Sequence, residues 1–262
     1  MEQITQEQIN AQWSVLSDNF NNYVCEELRT DRPAEWRKLI EQNAPPARPL
    51  RILDAGCGPG FFSVVLSKAG HTVTGIDGSE GMLAFARQNA AAHSVSPELL
   101  QGDFGHLPFP DGTFDLVVSR NVTHILRDHV QVYAEWLRVL KPGGVLLIFD
   151  ANWHLPQSSP ALLRESLERE KRCIEVFGSD FSGNTVFDEE RARQAYRSER
   201  RHLLGDIRRP DWDAGLLQGL GFGEVTYERD ITGEFWDEKE KLIYGHTPMF
   251  MLRAVKPTAE RT

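Results

Sequence analysis

Cysteine is scarce in this sequence. The three that occur among 262 residues, Cys25, Cys57 and Cys173, lie far apart. Isolated cysteines in odd number exclude a disulfide framework and a C-x-x-C metal spacing, and a reduced, cytoplasmic setting suits them. The eight histidines do not cluster with acids at ligand spacing either, so we predict no metal site.

Long apolar runs are also missing. No stretch approaches the roughly 20 apolar residues that a membrane-spanning helix needs. The opening residues, MEQITQEQINAQW, lack the basic segment and apolar run of a signal peptide. Lysine and arginine number 29 against 38 acids, which gives a formal net charge of −9. Because such a chain repels polyanions, we expect neither a membrane nor a nucleic-acid partner.

One stretch, residues 189–210, is rich in arginine. Arg193, Arg197 and Arg201 are spaced to share one helical face, which suits an anionic acceptor. Acidic residues interleave with them, however, and this mixture favours the simpler interpretation of a solvated helix face.

From residue 50 onward, short apolar strands alternate with helices. This alternation predicts an α/β fold with a parallel, doubly wound sheet. The predicted strands cover residues 50–56, 71–77, 97–104, 113–120, 143–152, 223–230 and 247–255, and the helices between them cover 61–70, 79–93, 129–140 and 212–222.

Two segments fall outside the alternation. Residues 4–43 carry apolar side chains at helical spacing, and Pro33 is placed to begin a second helix. Residues 152–209 are helical, charged and long for a crossover, so we interpret them as an insertion that covers one edge of the sheet. The predicted divisions are an N-terminal helical segment at 1–47, a core at 48–151, the insertion at 152–209, and a completion of the sheet at 210–262.

A glycine turn joins the first strand to the first helix. Glycines there let the backbone bend sharply and approach a ligand. The dinucleotide pattern G-x-G-x-x-G is not met, because its third glycine would fall on Phe61 or Ser63. An acid two residues before the turn suits a ligand with an ammonium group and no pyrophosphate, although a purely structural turn is the alternative. The turn contains Asp54, Gly56, Gly58 and Gly60.

Acids also end the next two strands. Asp77 is placed to accept hydrogen bonds from both hydroxyls of a ribose, or else to cap the next helix. Asp103 is placed to accept from an adenine amino group, with Phe104 covering the ring. The alternative for Asp103 is an ordinary turn acid.

Three segments together resemble the class I S-adenosylmethionine-dependent methyltransferases: ILDAGCGPGFFSVVLSKAGHTVTGIDGSEGML, GDFGHLPFPDGTFDLVVSRNV and EWLRVLKPGGVLLIFD. The resemblance is strong over residues 48–151 and weak over 210–255. It implies a seven-stranded sheet in the order 3-2-1-4-5-7-6 with the last strand antiparallel. It also implies S-adenosylmethionine as cofactor, with S-adenosylhomocysteine as product, and an acceptor pocket and lid built from the two helical additions.

The resemblance carries a set of cofactor residues. It places Asp54, Gly56, Gly58 and Gly60 along the methionine part, and Asp77 on the ribose. It places Gly78, Ser79 and Met82 beside the adenosine, Asp103 and Phe104 at the adenine, and Ser119, Arg120 and Asn121 beneath the methionine and sulfonium.

The sequence gives weaker signals for the residues that contact the methyl acceptor. Methyl transfer needs alignment above all, and a base helps only if the acceptor must lose a proton. His124, just past the fourth strand, is our first candidate for a base, and Tyr23 is a second catalytic candidate. Trp13, Asn152 and His154 are candidate acceptor contacts, although aromatic residues at helical spacing more often belong to a core.

We therefore predict a methyltransferase for a small molecule that accepts through O, N, S or C. The alternatives are a methyltransferase for a protein or tRNA, an NAD-dependent oxidoreductase, and a non-catalytic protein that binds S-adenosylmethionine as a sensor or partner subunit. Missing glycines disfavour the oxidoreductase, and the acidic charge disfavours tRNA. Acceptor identity and oligomeric state are not predicted.

Overall fold

The computed structural model describes residues 6–180, 183–198, 204 and 206–258. Its centre is a seven-stranded sheet in the order β3-β2-β1-β4-β5-β7-β6. β7 pairs antiparallel with β5 and β6, and the other pairs are parallel. The predicted fold class and strand order are therefore confirmed. The strands are β1 (Arg51–Ala55), β2 (Thr72–Asp77), β3 (Glu98–Gln101), β4 (Phe114–Arg120), β5 (Leu140–Asp150), β6 (Val225–Glu228) and β7 (Phe250–Val255).

Helices surround the sheet. In chain order they are α1 (Gln6–Glu27), α2 (Arg32–Asn43), α3 (Phe61–Lys68), α4 (Glu80–Ala92), α5 (His129–Val139), α6 (Leu155–Ser158), α7 (Pro160–Phe177), α8 (Glu189–Ser198), α9 (Asp211–Gly219), α10 (Thr232–Phe235) and α11 (Glu238–Tyr244), with a 3₁₀ turn at Thr123–Ile125. No helix in this described part of the chain is long and apolar enough to span a bilayer.

Both faces of the sheet are buried, because successive side chains of a strand point to opposite faces. In β4, Leu116 and Val118 join one apolar cluster, whereas Val117 joins the other. Helices α5 and α9 cover the second cluster, where Trp136 is fully buried. Helices α2, α3 and α10 cover the first, where Trp36 is equally buried. This packing fixes the carboxyl ends of the strands, where the site lies.

Residues 6–43 form two helices, and Pro33 lies in the first turn of α2, as the sequence predicted. The structure departs from the sequence prediction in two places. The strand predicted from residue 143 begins earlier, because Leu140 already pairs with Phe114. Two helices that we did not predict, α10 and α11, stand between β6 and β7, and α11 packs against α7 of the insertion.

The arginine-rich stretch is described only in part. Arg193 lies on α8 and forms an ion pair with Glu189 at 2.8 Å, within the same helix. This pairing agrees with a solvated face. Arg201, the last residue of the expected basic face, lies outside the described residues.

Candidate functional site

A cleft opens at the carboxyl ends of β1, β2 and β4, where doubly wound sheets bind ligands. Helix α1 forms the wall of the cleft opposite these strand ends. The cleft has a volume of about 910 Å³, which includes the solvent at its open mouth. The predicted site residues that line it are Trp13, Tyr23, Asp54, Gly56, Gly58, Asp77, Gly78, Ser79, Met82, Phe104, Arg120 and Asn121. Those that lie outside its lining are Gly60, Asp103, Ser119, His124, Asn152 and His154.

The glycine turn presents bare backbone to the cleft. Gly58 has φ +51, and a Cβ built on it would meet no atom within 4 Å, so its backbone faces open space. Gly56 is constrained differently, since a Cβ there would lie 2.2 Å from a methyl of Val122. Gly60 precedes helix α3 and lies close to α4, since a Cβ built on it would lie 3.1 Å from the Cβ of Ala86.

Asp77 ends β2 with its carboxylate held by the backbone. The amide of Gly58 donates to Oδ2 at 2.9 Å, and the amide of Ser79 donates to Oδ1 at 2.9 Å. Burial raises the pKa of Asp77, and these two hydrogen bonds oppose the rise. Each oxygen keeps a second lone pair, so the carboxylate has the capacity to accept two further hydrogen bonds from a ligand.

Asp54 lies deeper in the cleft and is almost completely buried. Ser63 donates a hydrogen bond to its Oδ2 at 2.7 Å. Burial raises the pKa of Asp54 to about 7, against the lowering effect of this hydrogen bond and of Arg120, while the nearby Asp77 adds to the rise. The group is therefore poised to change its charge near neutral pH.

Residues just past β4 form the floor. Asn121 adopts a left-handed backbone conformation with φ 55, which its short polar side chain tolerates. Its Oδ1 is buried and has no hydrogen-bond donor within the described part of the chain. A buried acceptor without a donor is costly unless a ligand supplies one. Ser119 instead bridges two strands, donating to the carbonyl of Ala55 at 2.9 Å.

The far end of the cleft is apolar. Met82 and Phe104 are both buried and line it. Asp103 turns away: its side chain is 58% exposed and bonds to the amide of Gly105 and to the ring of His106. In this structure the Asp103 side chain therefore stabilises a surface turn and does not line the cleft, where we expected it to contact the adenine.

Helix α1 closes the cleft through contacts with α4. Ser14 and Ser79 share a hydrogen bond of 2.7 Å between their hydroxyls. A Cβ on Gly81 would lie 3.2 Å from the backbone of Ser14, so the two helices meet closely there. The cleft-facing residues of α1 recur at helical spacing on one face: Asn10, Trp13, Phe20, Tyr23, Val24 and Glu27.

The hydroxyl of Tyr23 is already engaged. It donates to Oε1 of Glu240 at 2.8 Å, and Arg32 donates to Oε2 of the same carboxylate. Burial raises the pKa of the Tyr23 phenol well above its ordinary value. The phenol is therefore neutral and tied to α11, an arrangement unfavourable to a base.

A second polar centre surrounds Asp150 at the end of β5. Its carboxylate is fully buried and accepts from Thr123 Oγ1 at 2.6 Å, from Trp153 Nε1 at 2.9 Å, and from the backbone and ring of His124. Burial alone would raise the pKa of Asp150, but His124, Arg209 and these hydrogen bonds hold it well below its usual range. The contact with Nδ1 of His124 is 2.9 Å and fixes the orientation of the ring.

Arg209 completes this centre from the last residue of the insertion. Its guanidinium is 1% exposed and pairs with Asp150 at 3.3 Å and with Asp213 at 2.7 Å. Tyr133 donates to Asp213 at 2.5 Å, so the buried charges are bridged across α5 and α9. This network ties the insertion to the core beside His124.

Two predicted acceptor contacts have internal partners. Asn152 uses both ends of its amide on the backbone of Arg209, at 3.0 and 2.9 Å, and so holds the chain rather than facing the cleft. His154 is buried, with Nδ1 3.1 Å from the side-chain amide of Gln157 and its ring 5.6 Å from that of His124. Neither lines the cleft.

Sequence reasoning missed the partners that come from distant parts of the chain. We did not single out four residues that form hydrogen bonds around the site. Glu240 accepts from Tyr23, Glu27 accepts from Arg120, and Asp213 accepts from Arg209, which also donates to Asp150. One local signal existed, since Glu27 lies four residues after Tyr23 on the same helical face. Among the described residues, no three His, Cys, Asp or Glu side chains come together as a metal site.

These features fit an adenosyl sulfonium ligand. The bare backbone at Gly58, the two free lone pairs on Asp77 and the orphan acceptor of Asn121 converge on one cleft. Asp54 adds a carboxyl that matches an ammonium group.

Comparisons with known proteins agree. Residues 53–148 match the family described as a methyltransferase domain. The malonyl-[acyl-carrier protein] O-methyltransferase of Serratia marcescens is 42% identical over 97 residues, which cover 37% of this chain and 36% of that protein. The demethylmenaquinone methyltransferase of Staphylococcus aureus (strain MRSA252) is 34% identical over 138 residues, covering 52% of this chain and 55% of that protein. The chain thus spans about half, or less, of the length of these relatives.

A solved structure shares the fold. Phosphoethanolamine N-methyltransferase 2 of Haemonchus contortus, in complex with S-adenosyl-L-methionine, aligns with a TM-score of 0.58 at 20% identity, covering 84% of this chain and 52% of that one. The cofactor of the domain described here is S-adenosylmethionine. Strand order, cofactor cleft and sequence matches together place the central domain of this chain in the class I S-adenosylmethionine-dependent methyltransferase family.

Proposed function

We propose that this chain methylates a small molecule whose accepting atom carries a proton, bound between the cofactor and helix α1. The observation that carries the proposal is the roof of the cleft. Trp13, Phe20 and Tyr23 of α1 line the cleft opposite the glycine turn. A roof made by the chain's own helix supports a modest ligand over the surface of a folded protein or tRNA.

The cofactor residues have distinct roles in this proposal. Asp77 accepts from the ribose hydroxyls, and Met82 and Phe104 pack on the adenine. Gly58 and Asp54 hold the methionine part, the first through its bare backbone and the second through its carboxylate. The bound cofactor supplies a methyl group that its sulfonium already activates, so these residues act by positioning.

His124 is the proposed base. In this proposal Nδ1 of a neutral His124 ring donates to Asp150, and the other ring nitrogen then offers a lone pair to the acceptor. Val122 and Ile125, which flank His124 in the chain, line the cleft, so His124 belongs to a segment that borders it. Such a base suits an acceptor hydroxyl, thiol or amine that loses a proton. Tyr23 then acts as a wall of the acceptor space.

The class of acceptor is tested with S-adenosylmethionine that carries a labelled methyl group. The protein is incubated separately with a low-molecular-weight metabolite fraction, bulk tRNA and a protein fraction. We expect label in the small molecules alone. At a cofactor concentration near the wild-type dissociation constant, Asp77→Ala should label them much more weakly, whereas Asp103→Asn serves as a matched control with full labelling. Label in tRNA or protein contradicts the proposal. Tight binding of S-adenosylhomocysteine with no label in any fraction supports the non-catalytic alternative.

The base is tested by His124→Asn, which keeps a donor towards Asp150 and removes the second ring nitrogen. We expect turnover to fall by about 10²–10⁴-fold, the usual contribution of general base catalysis. Affinity for S-adenosylhomocysteine stays within about twofold, since His124 lies outside the cofactor cleft. Unchanged turnover would show that His124 packs the site without removing a proton.

A further inference from the structure

Apolar side chains of α1 continue past the mouth of the cleft. Phe20 lines the cleft and is nevertheless 39% exposed. Leu16, four residues earlier, is also 39% exposed. Because residues three and four apart share a helix face, Leu16 lies on the face that carries Trp13 and Phe20, whose ring centres are 4.9 Å apart. These three side chains form an apolar strip that leads from the cleft into solvent.

The strip lies on the open flank of α1. The opposite flank packs on α4, where Ser14 shares a hydrogen bond of 2.7 Å with Ser79. At 100° per residue, Leu16 is turned about 160° away from Ser14. Tyr23, two turns further along the helix, is tied to α11 through Glu240. The first half of α1 therefore leaves a solvent-filled opening beside the strip.

Charge in the cleft is confined to the side away from this opening. Within the described part of the chain, the charged residues that line the cleft are Glu27, Asp54, Asp77 and Arg120. Asp54, Asp77 and Arg120 belong to strands, and Glu27 ends α1, where it pairs with Arg120 at 2.9 Å. The roof before Glu27 turns no formal charge towards the cleft. A charged group beneath it would lose its hydration without an opposite charge from the roof, which is costly.

We propose that the acceptor is amphipathic, with the hydroxyl, thiol or amine that takes the methyl group at one end and an aliphatic tail at the other. The tail leaves the cleft along the apolar strip of Trp13, Leu16 and Phe20. This inference rests on the proposed function, because it names the class of small molecule that the same cleft accepts. Exposed apolar side chains that continue a ligand cleft mark a binding surface. Each tail methylene that they cover adds up to about fourfold in affinity.

The probes are butanol, hexanol, octanol and decanol, each with its hydroxyl on a terminal carbon. Binding of the radiolabelled alcohols is measured by equilibrium dialysis on protein saturated with S-adenosylhomocysteine. The main variant is Leu16→Ser, which makes the strip polar outside the cofactor cleft. Val15→Ser is the matched control, because Val15 is 80% exposed on the same helix and turned about 140° from Phe20. Leu16→Met keeps the apolar volume.

We expect wild-type affinity to rise about two- to fourfold with each added methylene, depending on how fully the tail is covered. Leu16→Ser should weaken decanol binding about 4- to 15-fold, the effect of returning one or two methylenes to water, and leave butanol binding within about twofold. Val15→Ser and Leu16→Met should follow the wild type. Affinity for S-adenosylhomocysteine should stay within about twofold in each variant, which shows that the fold is intact.

Equal affinities along the alcohol series, or the same gain with tail length in Leu16→Ser, overturn the proposal. Sedimentation adds a further check: a dimer that Leu16→Ser dissociates would assign the strip to a second copy of the chain and overturn the proposal as well. The two proposals fail in different ways. Labelled small molecules with a flat alcohol series reject the tail alone, whereas label in tRNA or protein rejects the proposed function.

Discussion

Raising the pH from 6 to 8 should tighten the binding of S-adenosylhomocysteine, because Asp54 must be ionised to pair with an ammonium group. Burial raises the pKa of Asp54 to about 7 in the ligand-free protein. An ammonium placed beside the carboxylate lowers this pKa in the complex. Binding below pH 7 therefore releases a proton. Affinity rises with pH until the carboxylate is already ionised in the ligand-free protein.

The size of the effect follows from the ligand-free pKa of about 7. The reference is the dissociation constant at high pH, where Asp54 is fully ionised. The apparent dissociation constant is expected to be about 11 times this value at pH 6 and about 1.1 times this value at pH 8. This tenfold difference corresponds to about 1.4 kcal/mol. Proton release on binding is expected to fall from about 0.9 at pH 6 to about 0.1 at pH 8.

Calorimetric titration in two buffers of different ionisation enthalpy measures both quantities. Asp54→Asn should bind more weakly at pH 8 and lose most of the pH dependence, since an amide does not titrate in this range. Asp103→Asn is the matched control, because that acid is exposed outside the cleft and its variant should follow the wild type. A flat wild-type profile, or an equal slope in Asp54→Asn, would refute the pairing of Asp54 with the ammonium.

Three further predictions follow from other contacts. Asp77→Ala should weaken S-adenosylhomocysteine binding by roughly 1.5–3 kcal/mol, measured by calorimetry, and unchanged affinity would remove Asp77 from the ribose. Gly81→Ala should push on the backbone of α1 and speed deuterium exchange there, whereas Gly215→Ala in α9, where a Cβ meets nothing within 4 Å, should not. Arg209→Gln should cost about 3–5 kcal/mol in urea unfolding by leaving buried carboxylates unpaired. The exposed Arg229→Gln should cost far less, and similar losses for the two variants would contradict the buried network.

The sheet could be predicted from sequence because its signals are local. Each strand is a short apolar run, and its place in the chain follows from the helices on either side. Helices α10 and α11 were missed although a signal was present, since Asp237 and Glu240 form a capping box at the start of α11. The segment around them is short and charged, and we predicted no helix between the last two strands.

The cofactor cleft was predictable for a related reason. Gly56, Gly58 and Asp77 belong to the ends of two successive strands, and the parallel sheet brings these ends together. The pairing of Glu27 with Arg120 spans 93 positions and that of Arg209 with Asp150 spans 59. No periodicity in one sequence encodes such pairs, because they depend on how the helices dock on the sheet.

The two buried charge networks lie in different parts of the domain, and we expect them to affect different properties, cofactor affinity and turnover. Apolar side chains of similar volume often stabilise a protein as well as a buried ion pair does, so stability alone does not account for such pairs. One network joins Glu27 on α1 to Arg120 in the cleft, and the other joins Arg209, just before α9, to Asp150 beside His124. Under the proposed function, each links a helical segment to one end of the reaction site. It follows that variants in the first network should change cofactor affinity, whereas variants in the second should change turnover at constant cofactor affinity.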